Sequence, residues 1–286
     1  MVSAEPPMRV AIGGRGWLPV RAARLLGSLV AAGALEARIE VVRNDGDPGR
    51  DTWMPSLAAL AERRGWRVHR TAETAGLGPR DVFLSLQHDV IVDCARLGGA
   101  AAYNLHFALL PHYRGSLTSL LPIRRGESRV GVTLHVLAPS VDAGPVIATR
   151  AFELPPFTTA YDLFQTYHRY GFELLKEHLE ALLHGTVTAT AQDDSAATTF
   201  YRSSVDFTDL EVSDFDRDAE QVRDWCRSLI FPPIQLPTYR GRRVGSCYVL
   251  RWNGVAAAPG TVLDEDTDQV VVACRRDLVC LEFATD

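Results

Sequence analysis

Three side chains with complementary chemistry lie near the middle of the sequence. Asn104 and His106 are two residues apart, and Asp142 follows at the far end of the next apolar segment. Because alternate side chains of an extended strand point to the same side, Asn104 and His106 can share one pocket. An amide can steady an oxyanion, an imidazole can handle a proton, and a carboxylate can orient the imidazole. These residue types at this spacing predict chemistry at a carbonyl carbon.

The segments around these residues indicate how they are positioned. The run 131–137 (GVTLHVL) is rich in β-formers and predicts a strand that leads into the turn VDAG, which carries Asp142. His135 lies on this strand, where we expect core packing, although a place in the pocket wall stays open. Between the strands, Pro111 and Gly115 bracket a turn. A small polar run at 116–119 is predicted to open a helix.

The N-terminal half has the alternation of a Rossmann-like fold. An apolar run at 9–12 ends in the glycine turn GGRG and is followed by a helical pattern, and further strands and a helix continue to residue 69. The buried strand 81–86 (DVFLSL) ends at Gln87 and His88, at the carboxyl end where open parallel sheets bind ligands. The sequence predicts an α/β fold with a mostly parallel sheet and flanking helices.

The C-terminal part differs in composition. A strongly amphipathic helix is predicted over 158–183, and a small, polar, linker-like run follows it. Short apolar runs separated by Gly, Asp and Asn turns then predict a small β-rich domain. We expect a catalytic domain over 1–190, a linker over 191–210 and a β-rich domain over 211–286.

Composition excludes several classes of protein. The 286 residues carry a formal net charge of −5, which argues against a large nucleic-acid footprint. No apolar run is long enough for a membrane span, and the N-terminus lacks the pattern of a signal peptide. The five cysteines are odd in number and lack metal-ligand spacing, so we expect no metal site and reduced thiols in a cytoplasmic protein.

Longer motifs in this region resemble a known family. NLHFALLPHYRG followed by VDAG is similar to the core of the formyltetrahydrofolate-dependent formyltransferases, whose pattern is Asn-x-His, then SLLPxxRG, then Asp-x-Gly. When the motifs YRSSVDF and IFPPIQLP are included, the similarity extends from about residue 82 to residue 243. Its most specific part is 104–144. Within the family, the sequence most resembles the sugar N-formyltransferases. It implies transfer of a formyl group from N10-formyltetrahydrofolate to the primary amine of an amino sugar linked to a nucleotide. It also implies a homodimer.

The resemblance also implies roles for individual residues. Asn104 and His106 would meet the oxyanion, His106 would also act as general base, and Asp142 would hold the imidazole. The residues expected at the folate co-substrate are Leu84, Leu86, Gln87, His88, Leu109, Val141 and Gly144. Those expected at the acceptor are Tyr113, Arg114, Tyr201, Arg202 and Gln235. Arg202 suits a diphosphate and Tyr201 could stack on a base or sugar, whereas a surface ion pair of Arg202 with Asp206 is an equally weighted alternative.

Three other functions stay open. The acceptor could be another amine, such as an amino acid or a secondary-metabolite intermediate. A methionyl-tRNA formyltransferase is opposed by the acidic charge and by the absence of a Lys/Arg-rich insertion. A nicotinamide-binding oxidoreductase built on GGRG is a different class, but the turn is not a full G-x-G-x-x-G. Many family members have Asp-Thr-Gly-Asp where this chain has Asp-Ala-Gly-Pro, a departure that keeps the acid and the glycine.

Overall fold

The computed structural model describes residues 6–254 and 257–285. The strands are β1 Met8–Gly14, β2 Ala37–Val42, β3 Arg67–His69, β4 Val82–Leu86, β5 Ala101–His106, β6 Arg114–Gly115, β7 Arg129–Val136, β8 Val146–Glu153, β9 Thr199–Phe200, β10 Thr238–Tyr239, β11 Arg242–Leu250, β12 Val262–Glu265, β13 Gln269–Ala273 and β14 Leu278–Phe283. The helices are α1 Trp17–Ala31, α2 Leu57–Arg64, α3 Leu121–Arg124, α4 Ala160–His184 and α5 Ala219–Leu229.

A seven-stranded sheet carries the catalytic candidates. Its strand order is β3-β2-β1-β4-β5-β7-β8. The first five of these strands pair in parallel, and β7 pairs antiparallel to β5. The carboxyl ends of β1, β4 and β5 therefore lie at one edge of the sheet, where α/β folds bind ligands. The predicted mostly parallel α/β sheet is confirmed.

Apolar sequence explains the central strands. Residues 10–14 and 82–86 are buried without interruption, as expected for parallel strands that are covered on both faces. Helix α2 begins at a conventional cap, since the Ser56 side chain accepts a hydrogen bond from the Ala59 amide. Helix α1 has no cap from its own Gly16, and the Leu18 amide instead donates to Nδ1 of His168, at 3.2 Å.

The long helix α4 supports β5. From residue 167 onward it lies against the strand and the residue after it, with the Tyr167 ring stacked on Phe107 at a centroid distance of 5.2 Å. The helix approaches closely at Gly171, where a Cβ atom would overlap the side chain of Leu105. The segment that ends in His106 is thereby held by packing from behind.

The chain divides into two compact units. The first comprises residues 1–115, 131–151 and 167–199, and the second comprises residues 116–130, 152–166 and 200–286. In the second unit α5 packs on the five-stranded antiparallel sheet β10-β11-β14-β13-β12, which gives the C-terminal β-rich part predicted from the sequence. The boundaries predicted at 190 and 210 stay a prediction.

The segment after β6 differs from expectation. The polar run 116–119 does not open a long helix, since α3 covers only Leu121–Arg124. Leu117 has a φ of 66°, a left-handed conformation that interrupts any helix there. The peptide bond between Leu110 and Pro111, at the start of this connection, is cis.

Candidate active site

Antiparallel pairing of β5 with β7 places four polar side chains on one face of the sheet. Asn104 lies opposite His135, and His106 lies opposite Thr133. Residues directly opposite each other on neighbouring strands share a face, as do alternate residues along each strand. His106, Thr133 and His135 are buried, and Asn104 is half-buried.

Asp142 meets this face from the loop between β7 and β8. Its Oδ1 accepts a hydrogen bond from Asn104 Nδ2 at 3.1 Å, and its Oδ2 accepts one from the Gly115 amide at 2.8 Å. His106 Nδ1 lies 3.4 Å from Oδ2, and His135 Nε2 lies 3.5 Å from Oδ1. The structure therefore brings together the three residues that the sequence predicted as a catalytic set.

The surroundings of Asp142 favour its carboxylate form. Burial raises the pKa of Asp142, but the charge of His106 and the Gly115 N–H are among the groups that outweigh it, and the pKa is lowered to about 2. The residue has a φ of 50°, in the left-handed region that aspartate tolerates better than most residues. A fixed anion thus stands beside the His106 ring.

Both ring nitrogens of His106 face oxygen atoms. Nε2 lies 2.7 Å from the carbonyl oxygen of Tyr113, and Nδ1 faces Asp142. A carbonyl and a carboxylate only accept hydrogen bonds, so the doubly protonated imidazolium satisfies both contacts. In this state neither nitrogen carries a lone pair that could take a proton.

His135 joins Asn104, His106 and Asp142, in the place in the pocket wall that the sequence left open as the alternative to core packing. Its ring is 1% exposed. Nδ1 lies 2.9 Å from the Val136 carbonyl and must donate to it, which leaves Nε2 to accept from Asn104 Nδ2 at 2.9 Å. The two N–H bonds of the Asn104 amide thus bridge His135 and Asp142. Core packing, which we expected for His135, is corrected to a polar contact within the site.

Thr133 fixes the connection that follows His106. It is fully buried, and its Oγ1 donates to the Ala108 carbonyl at 2.6 Å and accepts from the Leu110 amide at 3.2 Å. The neighbouring Leu109 side chain fills the space above Gly131, where a Cβ atom would overlap it. The backbone of 107–111 is therefore tied to β7.

The residues predicted to meet the folate co-substrate take different positions. Leu84 and Leu86 are buried within β4, which pairs on both sides, so their polar backbone groups are committed to the sheet. Gln87 follows with a φ of 59°, and its carbonyl accepts from Asn44. In the part of the chain that the structure describes, Nδ1 of His88 is buried without a hydrogen-bond partner.

The His88 ring is held neutral. Burial lowers the pKa of His88, although the nearby carboxylates of Asp89, Glu73 and Asp45 raise it. A neutral ring with one unpartnered nitrogen beyond the end of β4 offers a polar contact to a bound heterocycle. The contacts of Leu84, Leu86, Gln87 and His88 with a folate stay a prediction.

Val141 and Gly144 flank Asp142 on its loop. Val141 is exposed, at 37%. Gly144 is confined, because a Cβ atom there would overlap the Val136 carbonyl oxygen. Glycine at this position lets the loop after Asp142 return closely against the end of β7.

The residues predicted to contact the acceptor belong to two different units, and Tyr113 and Arg114 are in the first. Tyr113 has a φ of 58°, gives its carbonyl to His106 and donates its amide to Thr198 Oγ1 at 2.8 Å. Arg114 is only 8% exposed, and its guanidinium donates to Gln192 and Asp194. The buried guanidinium of Arg114 is thus engaged by protein side chains.

The other acceptor candidates belong to the second unit. Tyr201 is 60% exposed, and the Arg202 guanidinium lies over the Phe207 ring at 5.5 Å from its centroid. The Asp206 carboxylate accepts from Thr208, and the backbone of Gln235 pairs with Phe231. Their contact with an acceptor stays a prediction.

The glycine turn GGRG is filled by protein atoms. A Cβ atom on Gly13 would meet Phe83 and His88, and one on Gly14 would overlap the Leu86 carbonyl. Close approach of neighbouring strands therefore explains these two glycines, without a dinucleotide phosphate. Within 6–254 and 257–285, no helix is long and apolar enough to cross a membrane, and no cluster of three or more His, Cys, Asp or Glu side chains could hold a metal ion.

Comparison of the sequence with protein families gives a match over this region. Residues 96–179 fit the sequence model of the family described as Formyl transferase. This stretch belongs to the formyl transferase family. It contains Asn104, His106, His135 and Asp142, so all four members of the cluster lie within the formyl transferase stretch. The resemblance found in the sequence is confirmed.

Solved structures share the fold along almost the whole chain. WlaRD, described as a sugar 3N-formyl transferase in the presence of dTDP and 5-N-formyl-THF, has a TM-score of 0.84 at 22% identity, with 98% of each chain covered. An N-formyltransferase from Helicobacter canadensis, in complex with folinic acid and dTDP-3-aminofucose, has the same score and identity over 97% of this chain and 100% of its own. A sugar N-formyltransferase from Shewanella sp. has a TM-score of 0.65 at 17% identity, over 81% of this chain and 92% of its own. The fold is that of the sugar N-formyltransferases.

Proposed function

We propose that this protein transfers a formyl group from N10-formyltetrahydrofolate to the primary amine of an amino sugar carried by a nucleoside diphosphate. The observation that carries the proposal is the cluster of Asn104, His106 and Asp142 within the formyl transferase stretch. Two proteins of the same fold, crystallised with a formylfolate and with dTDP or a dTDP-amino sugar, support the choice of both substrates.

The side chains suit the charges that this reaction develops. The formylfolate supplies an activated formyl carbon, and attack by the amine forms the new C–N bond and places negative charge on the formyl oxygen. Collapse of the adduct then breaks the bond to N10, and the proton that the amine loses passes through water to N10 of the departing tetrahydrofolate. We assign His106, as an imidazolium, to that oxygen: its Nε2–H turns from the Tyr113 carbonyl to the developing anion. Asp142 remains ionised and stabilises the ring. A carboxylate with a pKa near 2 is a weak base, so its role is to orient the ring and the water that relays protons.

In the protein without substrate, the role of Asn104 is to position its neighbours. Its two N–H groups hold Asp142 and His135 at their distances from His106. The oxyanion role predicted for Asn104 stays a prediction, since it requires one N–H to exchange its present partner for the substrate oxygen. The base role predicted for His106 requires the ring to release a proton first.

The pterin would lie beyond the end of β4 and beside the loop of the acid. The unpartnered His88 nitrogen and the left-handed Gln87 fit a polar heterocycle there. Leu109, which precedes the turn at Pro111, and the exposed Val141 on the acid loop are the apolar side chains proposed to contact it. For the acceptor, we propose Tyr201, Arg202 and Gln235 as contacts with the nucleotide and the sugar.

The proposal is tested by incubating the protein with N10-formyltetrahydrofolate and a panel of amines. The panel contains dTDP- and UDP-amino sugars, free amino acids and aminoacylated initiator tRNA, and product is detected as a mass gain of about 28 Da, the mass of CO. Formylation of an amino-sugar nucleotide is the expected result. Formylation of only another amine would replace the acceptor, and no transfer to any amine would refute the proposal.

The roles of the side chains are tested by substitution. Asn104→Ala, His106→Ala and Asp142→Ala should each lower turnover by about 100- to 1000-fold while remaining folded. His184→Ala, an exposed residue of α4, is the matched control for the loss of an imidazole and should keep full activity. Near-normal turnover of any of the first three variants would reject the role given to that residue.

The acceptor contact is tested through Arg202. Arg202→Ala should weaken binding of a dTDP-amino sugar and leave binding of the formylfolate unchanged, because its charge suits the diphosphate. The control is Arg169→Ala, another exposed arginine whose guanidinium lies over an aromatic ring, that of Tyr170. Equal sugar affinity in wild type and Arg202→Ala would remove the assignment.

We further propose that the protein works in the cytoplasm as a homodimer. The five cysteines are free thiols, and four of them are buried, which suits a reducing compartment. Sedimentation at micromolar protein tests the dimer, and a single species of monomer mass would refute it.

A further inference from the structure

The side chain of Gln192 connects the catalytic acid to a buried arginine. Its Nε2 donates to two carbonyl oxygens, those of Asp142 at 2.8 Å and Gly144 at 2.7 Å. Its Oε1 accepts from Arg114 Nε at 3.2 Å and from Arg114 Nη2 at 2.7 Å. Both N–H groups of the amide and both lone pairs of its oxygen are thus used, and each end of the amide has one kind of partner.

Arg114 stands between two residues that contact the catalytic pair through their backbone. The carbonyl of Tyr113 accepts from His106, and the amide of Gly115 donates to Asp142. With the Gln192 bridge, these contacts close a ring that runs from His106 through Tyr113, Arg114 and Gln192 to Asp142, and back to His106 across 3.4 Å. The separation of the imidazole and the carboxylate is therefore fixed by this ring.

We propose that Gln192 is a positioning residue for Asp142, and that Arg114 serves to hold Gln192 rather than to bind substrate. The proposal rests on the proposed formyl transfer for its activity readout. Asp142 has a left-handed backbone conformation, and the two donated hydrogen bonds lock the carbonyl groups on both sides of the turn in that conformation. Displacement of a catalytic group by about 1 Å can lower turnover by about 100-fold.

The segment that carries Gln192 is itself anchored. The amide and carbonyl of Thr190 pair with Val146, just after the acid loop. Further on, Thr198 gives its carbonyl to the Arg114 amide, its amide to the Pro111 carbonyl and its hydroxyl to the Tyr113 amide. The run 190–198, which the sequence assigned largely to a linker, thus forms a strap across both loops of the site.

Gln192→Glu separates positioning from packing. Glutamate has nearly the same volume and keeps, with added charge, the contact with Arg114, but it cannot donate to the two carbonyls. We expect its thermal midpoint to stay close to that of the wild type while kcat falls about 10- to 100-fold. The KM values for both substrates should change less than about twofold.

Two further variants complete the test. Gln192→Ala removes both ends of the bridge and should lower kcat at least as far as Gln192→Glu. Asp193→Asn is the matched control, because Asp193 is the exposed neighbour whose carboxylate contacts only Ser195, and asparagine keeps that cap. It should retain wild-type kcat. A kcat of Gln192→Glu within about twofold of the wild type would overturn the proposal.

A readout without substrate keeps this inference separate from the proposed function. Hydrogen–deuterium exchange of the Ala143 and Val146 amides, which donate to the Ser140 and Thr190 carbonyls, reports on the acid loop. Exchange at these amides should be at least about tenfold faster in Gln192→Glu than in the wild type, and unchanged in Asp193→Asn. If the wild type formylates no amine, the proposed function fails while this measurement still decides the positioning role. Unchanged exchange in Gln192→Glu would refute that role.

Discussion

A buried histidine outside the catalytic cluster should make the protein sensitive to mild acid. His168 on α4 is 2% exposed, accepts a hydrogen bond from the Leu18 amide at the start of α1, and lies edge-on to the Phe107 ring at 5.0 Å. Burial, together with the positive charge of Arg21, lowers the pKa of His168 to about 3. The folded protein therefore keeps this ring neutral at any pH near neutrality.

The sign and the size of the effect follow from that value. In the unfolded chain a histidine has a pKa of about 6.5, so between about pH 6.5 and 3 the unfolded state binds a proton that the folded state rejects. The free energy of unfolding consequently falls as the pH is lowered through this window. At pH 5 the loss from His168 alone is about 2 kcal/mol relative to pH 7.5.

The assay is urea unfolding at pH 7.5 and pH 5, for the wild type, His168→Gln and the control His184→Gln, an exposed histidine on the same helix. The free energy of unfolding should drop by about 2 kcal/mol more in the wild type and the control than in His168→Gln. NMR of the wild-type ring gives a second measurement that needs no variant, since its signals should not titrate between these pH values. An equal drop in all three proteins, or a ring that titrates near pH 6.5, would refute the reasoning.

Three substitutions around the site extend these expectations. His135→Phe removes the acceptor of the Asn104 amide, so turnover should fall about 10- to 100-fold in a formyl-transfer assay without loss of folded protein, and unchanged turnover would contradict the bridge. Thr133→Val leaves the Ala108 and Leu110 backbone groups unpaired, at a cost of about 1–3 kcal/mol each in the free energy of unfolding, and a smaller total in denaturant melts would argue against this role. Gly144→Ala would force a Cβ atom onto the Val136 carbonyl, so we expect a loss of about 3 kcal/mol or more by the same melts, and wild-type stability would show that the loop can move away.

The sheet and the central cluster could be predicted because they depend on short-range patterns. The alternation of side chains along a strand was enough to place Asn104 beside His106, and the turn after the next strand was enough to place Asp142 near them. For His135 the sequence could not decide between core packing and the pocket wall. Its environment depends on which residue of β5 lies opposite it, and this register cannot be read from the sequence of β7 alone.

Contacts between residues that are far apart in the sequence could not be predicted. Arg114 and Gln192 are 78 residues apart, and neither local pattern nor composition connects them. The residues around Gln192 are small and polar, which is typical of linkers. Their backbone and side chains nevertheless form hydrogen bonds with the loop that carries Asp142 and with the turn at 111–114. Composition describes how well a segment can bury apolar surface, and a strap held by hydrogen bonds buries little of it.

The predicted contact of Arg114 with an acceptor stays a prediction, and the burial of its guanidinium opposes it. Three consecutive residues serve the same pair of catalytic groups by different means: Tyr113 through its carbonyl, Arg114 through its guanidinium, and Gly115 through its amide. A guanidinium that is 8% exposed and bonded to Gln192 would have to break those contacts, at a large cost, before it could bind a diphosphate. If the acceptor carries a diphosphate, as proposed, Arg202 is the exposed arginine among the predicted acceptor residues that is placed to meet it.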